Sequence, residues 1–499
     1  MITELLDAGS PAKTAAVAAG GGPSLSYDQL RLQVESLAAT LRKLGLGRGD
    51  RVAIALPNGI EMLVSFLAAS VVGTAAPLNP AYKLEEFRFN LDDTGARALI
   101  VPPQGAHEAR AAAGDNILII ETDMDSSGNV RFQTAAPEFS PAPDFNPDPA
   151  DIALILHTSG TTSRPKRVPL SHGNLMVSAR TVAATYGLSP TDISLCVMPL
   201  FHVHGLVAST LATLSTGGTV VLVPRFNPLS FWSMVRDHRA TWYSAVPTIH
   251  QLLLSRSKGT ARPSGAEFLR FVRSCSSALS PQTMAEMENT FGVPVVEAYG
   301  MTEAAHQMAS NPLPPGARQP GTVGLATGVK IGILNEQGEL LPAETKGEVA
   351  IKGSSVFGGY EENPEANAAS FTNGWFRTGD EGFLDSAGYL TLVGRIKELI
   401  NRGGEKVAPR EIDEALASHP AVAEAVCFAI ADRIYGEEVA AAVVLKDAVT
   451  EAELIRHCRG LLADFKCPKV VYIVDAIPRS ATGKIQRRIV ASEMAKLNN

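Results

Sequence analysis

Residues 152–166 read Ile152-Ala153-Leu154-Ile155-Leu156-His157-Thr158-Ser159-Gly160-Thr161-Thr162-Ser163-Arg164-Pro165-Lys166. The apolar run Ile152–Leu156 has the length and composition of a buried strand. A hydroxyl-rich loop, Thr158–Thr162, and the cation Lys166 come directly after it. That order suits a phosphate cradle. Backbone N–H groups and hydroxyls donate to phosphate oxygens, Gly160 lets the backbone approach closely, and the lysine offsets charge. The spacing differs from the common G-x-x-x-x-G-K-[ST] loop. A Ser/Thr/Gly cluster equally suits a plain solvated turn, so the rest of the chain decides between the two.

Outward from this strand, the first half alternates helical and strand patterns. Tyr27–Leu44 carries apolar residues three and four apart and stops at Gly45-Leu46-Gly47, which predicts a helix. Arg51–Leu56, Ala98–Val101 and Ile117–Ile120 read as strands and Glu61–Val72 as a helix. This rhythm predicts α/β layers with largely parallel sheets. Phe132–Ala150 is proline-rich and polar, a surface loop that delivers the chain to the first strand discussed. The α/β pattern runs on from Val168 to Val296, with Thr219–Val223 as a buried strand. From about Gly321 the pattern turns β-rich and predicts a small barrel-like subdomain. The helix Pro409–Ser418 then opens a compact α+β segment.

Composition limits the function classes. A chain of 499 residues exceeds one ordinary core and predicts two or more domains. Net charge is −7, and the lone basic cluster Lys484-Ile485-Gln486-Arg487-Arg488 is too short for a nucleic-acid footprint. Five scattered cysteines without a C-x-x-C pair argue against a zinc site or disulfide framework and for a reducing compartment. No run reaches the roughly 18–20 apolar residues of a membrane helix, and Met1–Ser10 lacks the basic start of a secretory signal. Ala495-Lys496-Leu497 resembles a peroxisomal address but is followed by Asn498-Asn499, and such addresses are terminal. The expected location is cytoplasmic.

Four further segments carry chemistry. Pro199-Leu200-Phe201-His202-Val203-His204-Gly205 sets two histidines two apart beside a glycine. Glu297-Ala298-Tyr299-Gly300-Met301-Thr302-Glu303 follows the strand-like Val293–Val296. Trp375-Phe376-Arg377-Thr378-Gly379-Asp380 puts an acid after a tight turn, and Pro478-Arg479-Ser480-Ala481-Thr482-Gly483-Lys484 puts a lysine on a glycine turn. Together with the first loop, and in this order, they resemble the acyl-adenylate-forming superfamily of acyl-CoA synthetases, luciferases and peptide-synthetase adenylation domains. The resemblance spans essentially the whole chain.

That resemblance implies an N-terminal adenylation domain, 1–394, and a mobile C-terminal domain, 395–499, joined at a hinge on Lys397. It implies that Thr158, Ser159, Gly160, Thr161, Thr162 and Lys166 hold the β- and γ-phosphates of ATP. Thr302 would touch the α-phosphate and Glu303 would be the Mg²⁺ carboxylate, as a hard cation requires. Tyr299 would stack on adenine, with Ser277, Ala278, Glu297, Ala298, Gly300 and Met301 lining the nucleotide. Asp380, an acceptor when ionised, would take both ribose hydroxyls with help from Arg395. Lys484 would stabilise charge developing between the acid and the α-phosphate. Gly403, Gly404 and Glu405 would line the tunnel for CoA.

For the acid, Ser163 in the first loop, Phe201–Gly205, Ala245–His250 and Arg273-Ser274-Cys275-Ser276 are most similar to the oxalate–CoA ligase branch. A small dianion needs donors for its second carboxylate, since a buried unpaired charge costs several kcal/mol. His202, His204, His306, Ser276 and Ser277 are the candidates, with packing an equal alternative for the histidines; His204 would also be catalytic. Ala298 stands where malonate-activating relatives carry an arginine. Other small, medium-chain, malonate-like or aryl acids, transfer to a carrier protein, and a nucleotide-binding regulatory protein without catalysis remain alternatives. Arg167 stands where the motif usually has glycine; if that position needs a left-handed backbone, arginine strains the loop.

Overall fold

A computed structural model describes residues 1–135, 140–158, 165–257, 262–479 and 485–497. Two large sheets dominate its first three hundred residues. In the seven-stranded sheet, strands 98–101, 51–54, 74–77 and 152–158 lie side by side and parallel. The nine-stranded sheet has a parallel centre of strands 295–301, 271–274, 242–245, 193–196, 219–222 and 14–18. The largely parallel layering expected from the sequence is therefore present. Antiparallel partners sit at the edges, and two of them carry candidate site residues: 152–158 turns back into 166–171, and 295–301 into 306–310.

Local chemistry explains the helices that separate the sheets. Helix Tyr27–Lys43 starts at a capping box, in which Ser26 Oγ accepts from the Gln29 amide and Gln29 Oε1 accepts from the Ser26 amide. Helix Ile60–Val72 is buried on nearly every face, including Leu63, Phe66 and Leu67 at 0% exposure. An apolar helix without a polar face belongs inside a core, and this one joins a cluster containing residues of both sheets. Each such side chain contributes roughly 1.5–3 kcal/mol of burial.

The β-rich region expected after Gly321 is a five-stranded antiparallel sheet of 330–334, 347–352, 375–384, 371–372 and 390–395, with an open pairing path. Phe357, Phe371 and Phe376 pack edge to face in its core. Strands 400–402, 405–407, 422–432, 436–445 and 470–473 form a last sheet with its own cores on its two faces, around Ile412 and Leu454 on one and Phe428, Val490 and Met494 on the other.

Three boundaries differ from expectation. Phe132 belongs to strand Val130–Gln133 rather than to the surface loop. The strand expected over Val293–Val296 runs Val295–Met301, through the chemical motif itself. Asp380 lies inside strand Trp375–Leu384, not after a turn: Gly379 adopts φ +73° where the pairing register slips, so a bulge re-aims the acid without ending the strand. Among the described residues no helix is long and apolar enough to cross a membrane, and all five cysteines are unpaired and buried.

Candidate active site

A cleft runs between the large sheets and the C-terminal sheet. Ser276, Ser277, Ala278, Glu297, Ala298, Tyr299, Gly300, Asp380 and Arg395 line one side, and Arg410, Glu424, Arg479 and Arg487 the other. Of the residues singled out in the sequence for the nucleotide, Ser277, Ala278, Glu297, Ala298, Tyr299, Gly300, Asp380 and Arg395 thus converge on one cleft, and the C-terminal segment faces them.

Asp380 is buried and bound twice: Arg395 Nε lies 2.7 Å from Oδ1, and the Tyr299 hydroxyl donates to Oδ2. Its own amide donates to Thr378 Oγ1 at 3.1 Å, which fixes the bulge. Glu297 accepts from the Leu279 amide at 3.0 Å, and burial pushes its carboxyl up to about 7, opposed by that amide and by the Arg410 charge.

Thr158 and Lys166 pair across the hairpin, whose connecting residues Ser159, Gly160, Thr161, Thr162 and Ser163 lie outside the described residues. Lys166 lies 4.4 Å from the Tyr360 ring centroid. Burial lowers its pKa, and nearby Lys397 adds to the effect while Glu303 opposes it. Glu303 sits on the turn Thr302–Ala304, buried, with Oε1 accepting from the Tyr360 hydroxyl at 2.8 Å. Burial raises its pKa, partly offset by that hydroxyl and by the positive charges of Arg395 and Lys166.

Arg167 is not strained. It is absent from the left-handed residues and pairs with His157 in the strand ladder. Its largely buried guanidinium meets Glu361 at 2.9 Å, Asp93 Oδ2 at 3.6 Å and also Glu362. The backbone joins in: the Glu361 amide donates to the Arg167 carbonyl at 3.2 Å. Arginine therefore binds the segment carrying Tyr360 to the strand carrying Lys166.

The acid-end candidates are also brought together. His204, fully buried at the start of a wide helical turn over His204–Leu211, has Nδ1 3.1 Å from Ser276 Oγ and Nε2 2.6 Å from Ser244 Oγ. The His306 ring lies 5.2 Å from it. His202 Nδ1 instead accepts the His204 amide at 3.2 Å, a contact within the loop. Ser276, Ala305 and His306 have φ of 74°, 53° and 139°, left-handed for residues with a Cβ. Such strain gathers at functional sites. Gly300 is required here, since a Cβ would lie 2.0 Å from the His306 carbonyl oxygen.

Lys484 lies outside the described residues. Arg479 and Ile485 on either side of that stretch pair as an antiparallel bridge, and both flanks are pinned. Arg479 meets Glu424 at 2.6 Å, and Arg487 meets Asp413 at 2.5 Å and Glu398 at 3.2 Å. Lys397 sits in the turn Ile396–Glu398. Gly403 and Gly404, at φ 59° and 97°, turn the hairpin that pairs Arg402 with Glu405. Two positive φ values favour glycine at both positions.

Sequence reasoning missed Tyr360 and the full part played by Arg273, whose buried guanidinium touches the acid-end cluster. The glycine pair before Tyr360 was the available signal for the first. Nothing local marked the second, because its partners Tyr186, Ser244 and Gln307 come from three distant strands and helices.

Comparison with known proteins places the chain among relatives. Residues 7–361 match the AMP-binding enzyme family and residues 411–484 match the AMP-binding enzyme C-terminal domain. The probable CoA ligase CCL9 of Humulus lupulus is 47% identical over 95% of this chain and 93% of its own. The oxalate–CoA ligase of Arabidopsis thaliana is 45% identical over 95% of each chain. The crystal structure of ATP-bound MatB from Rhodopseudomonas palustris superposes with a TM-score of 0.90 at 32% identity, covering 100% of this chain and 99% of that one.

Proposed function

The chain belongs to the AMP-binding enzyme family, and from that premise we infer that it is an AMP-forming acid–thiol ligase whose acid is oxalate. An oxalate oxygen attacks the α-phosphorus of ATP, pyrophosphate leaves, and oxalyl-adenylate remains. The CoA sulfur then attacks the acyl carbon, AMP departs, and the thiol proton passes to solvent. Work of this kind is positioning and charge neutralisation rather than covalent catalysis by the protein.

The single observation that carries the choice of acid is the chemistry of the buried end. His204, Ser244, Arg273, Ser276, His306 and Gln307 are gathered there through polar contacts. A long-chain or aryl acid needs apolar walls, whereas a second carboxylate needs N–H and O–H donors. The 45% identical relative named as an oxalate–CoA ligase supports the same reading.

In this reading Thr158–Thr162 and Lys166 grip the β- and γ-phosphates, and Thr302 meets the α-phosphate. Tyr299 and Asp380 with Arg395 hold the nucleoside, Lys484 meets the reacting carboxylate, and His204, His306 and Ser276 receive the other one. Residues 395–499 swing on Lys397 to bring Gly403, Gly404 and Glu405 to CoA. Mg²⁺ fits at Glu303: a hard oxygen donor held buried, with a raised pKa, gains from a divalent charge. Bound there, the ion would neutralise phosphate charge. A cytoplasmic location accords with ATP and CoA as co-substrates.

Incubating the protein with ATP, Mg²⁺, CoA and a panel of acids tests the proposal by CoA-thioester formation. Oxalate should be the best substrate. Rapid turnover of a medium-chain or aryl acid with none on oxalate would discard the acid and keep the ligase.

A further inference from the structure

Arg273 lies on strand Phe271–Ser274, in the interior of the nine-stranded sheet, at 0% exposure. A guanidinium stays charged at every physiological pH, and a buried charge is normally paired. Among the described residues no carboxylate lies within ion-pair distance of it. Its hydrogen bonds go to neutral groups: Nε to the Tyr186 hydroxyl at 2.9 Å, Nη1 to Ser244 Oγ at 2.9 Å and Nη2 to Gln307 Oε1 at 3.0 Å. The same two terminal nitrogens come within 3.5 Å of His204 Nε2 and 3.4 Å of His306 Nδ1.

Arginine has only N–H to offer. The imidazole nitrogens facing it therefore act as acceptors, and the ring proton of each histidine sits on the opposite nitrogen. For His204 that is Nδ1, which faces Ser276 Oγ, and Ser276 lines the cleft. One unbalanced positive charge thus lies behind two imidazoles, and through His204 it polarises a donor chain that ends at the cleft wall.

We propose that Arg273 is the specificity-determining positioning residue of this site. Its uncompensated buried charge selects acids that keep a second negative charge once one carboxylate is adenylated, and it holds His204 and His306 as neutral N–H donors toward that charge. A monocarboxylate has nothing left to complement it. The inference deepens the proposed function and rests on a dianionic substrate.

Acid-dependent ATP–pyrophosphate exchange tests it on the full-length protein with three variants. Arg273→Gln removes the charge and should raise the KM for oxalate by about 10- to 100-fold while the KM for ATP stays within about twofold. Arg273→Lys keeps the charge and should recover part of that loss. Gln307→Glu places a carboxylate against the guanidinium with little change of shape and should raise the oxalate KM in the same direction, which keeps the test open if Arg273→Gln does not fold. An unchanged oxalate KM in Gln307→Glu, or equal rises for ATP and oxalate with no recovery in Arg273→Lys, overturns the inference. Wild-type turnover of oxalate, malonate, glycolate and acetate separates this from the functional reading. Failure on oxalate alone removes oxalate, and the KM split is then read on malonate. Preference for a monoanion overturns the role of Arg273 itself.

Discussion

The Tyr360 hydroxyl donates to Glu303 Oε1 at 2.8 Å, and the ring of the same tyrosine lies 4.4 Å from the Lys166 ammonium. One side chain therefore contacts both the anion and the cation of the proposed phosphate end. Tyr360→Phe keeps the ring and removes the donor. A hydrogen bond to a charged group is worth about 1.5–3 kcal/mol, so pyrophosphate exchange should fall roughly 10- to 100-fold. The hydroxyl holds down a carboxyl already raised by burial. Without it Glu303 protonates more easily, and the acid limb of the pH–rate profile should move to higher pH. An unmoved limb would show that Glu303 is not the group titrating there.

Arg167 invites the opposite expectation from the one its sequence position suggests. Restoring the usual glycine should harm the protein, because the guanidinium bridges Asp93, Glu361 and Glu362. Glu362 is largely exposed, so the loss should be roughly 2 kcal/mol rather than that of a fully buried pair. Arg167→Gly should lower the thermal midpoint and raise the KM for ATP. Arg167→Lys, which lacks the planar fork, should recover only part of each. An Arg167→Gly protein as stable and active as the wild type would make this network ornamental.

The contrast between Arg167 and Tyr299 shows what was legible. Tyr299, Thr302, Glu303 and Asp380 could be read from the chain because their spacing and neighbours are local; the strand Val295–Met301 and the bulge at Gly379 deliver Tyr299 and Asp380 to one cleft, and the turn Thr302–Ala304 follows directly on that strand. Whether Arg167 is strained or useful depends on residues 74 positions before it and nearly 200 after it. Arg273 depends likewise on Tyr186 and Ser244, which only the sheet order brings beside it. Periodicity reports which face is buried; it carries no information on which buried polar groups meet.

His250 gives a pH prediction with a definite sign. It is fully buried, and burial lowers its pKa from 6.5 to about 3. Between those values the unfolded chain binds a proton that the native protein refuses. Stability from the neutral histidine is complete above about pH 6.5 and is lost as pH falls, by about 1.4 kcal/mol per pH unit. His172, lowered to about 4, behaves in the same way. Glu297, raised to about 7, has the reverse slope between its ordinary value and neutrality. The comparison is therefore best made by difference: the thermal midpoint of His250→Phe should fall less steeply than that of the wild type from pH 6.5 to 5. Parallel curves would remove His250 from the acid response.

Lys484 is the remaining test, because its neighbours are fixed while its own role is inferred. Arg479 and Arg487, on either side of it in the chain, are tied to Glu424, Asp413 and Glu398. Removing one electrostatic donor to a developing charge costs about two to three orders of magnitude in rate. Lys484→Ala should therefore suppress acid-dependent pyrophosphate release by that factor while ATP still binds. Supplied with preformed oxalyl-adenylate, the same variant should still make the CoA thioester, since in the proposed mechanism the second half-reaction turns the 395–499 segment away from this arrangement. Arg487→Ala should weaken both halves together, because it loosens the segment as a whole. If Lys484→Ala lost both halves equally, the lysine would be a structural support and not the group that meets the reacting carboxylate.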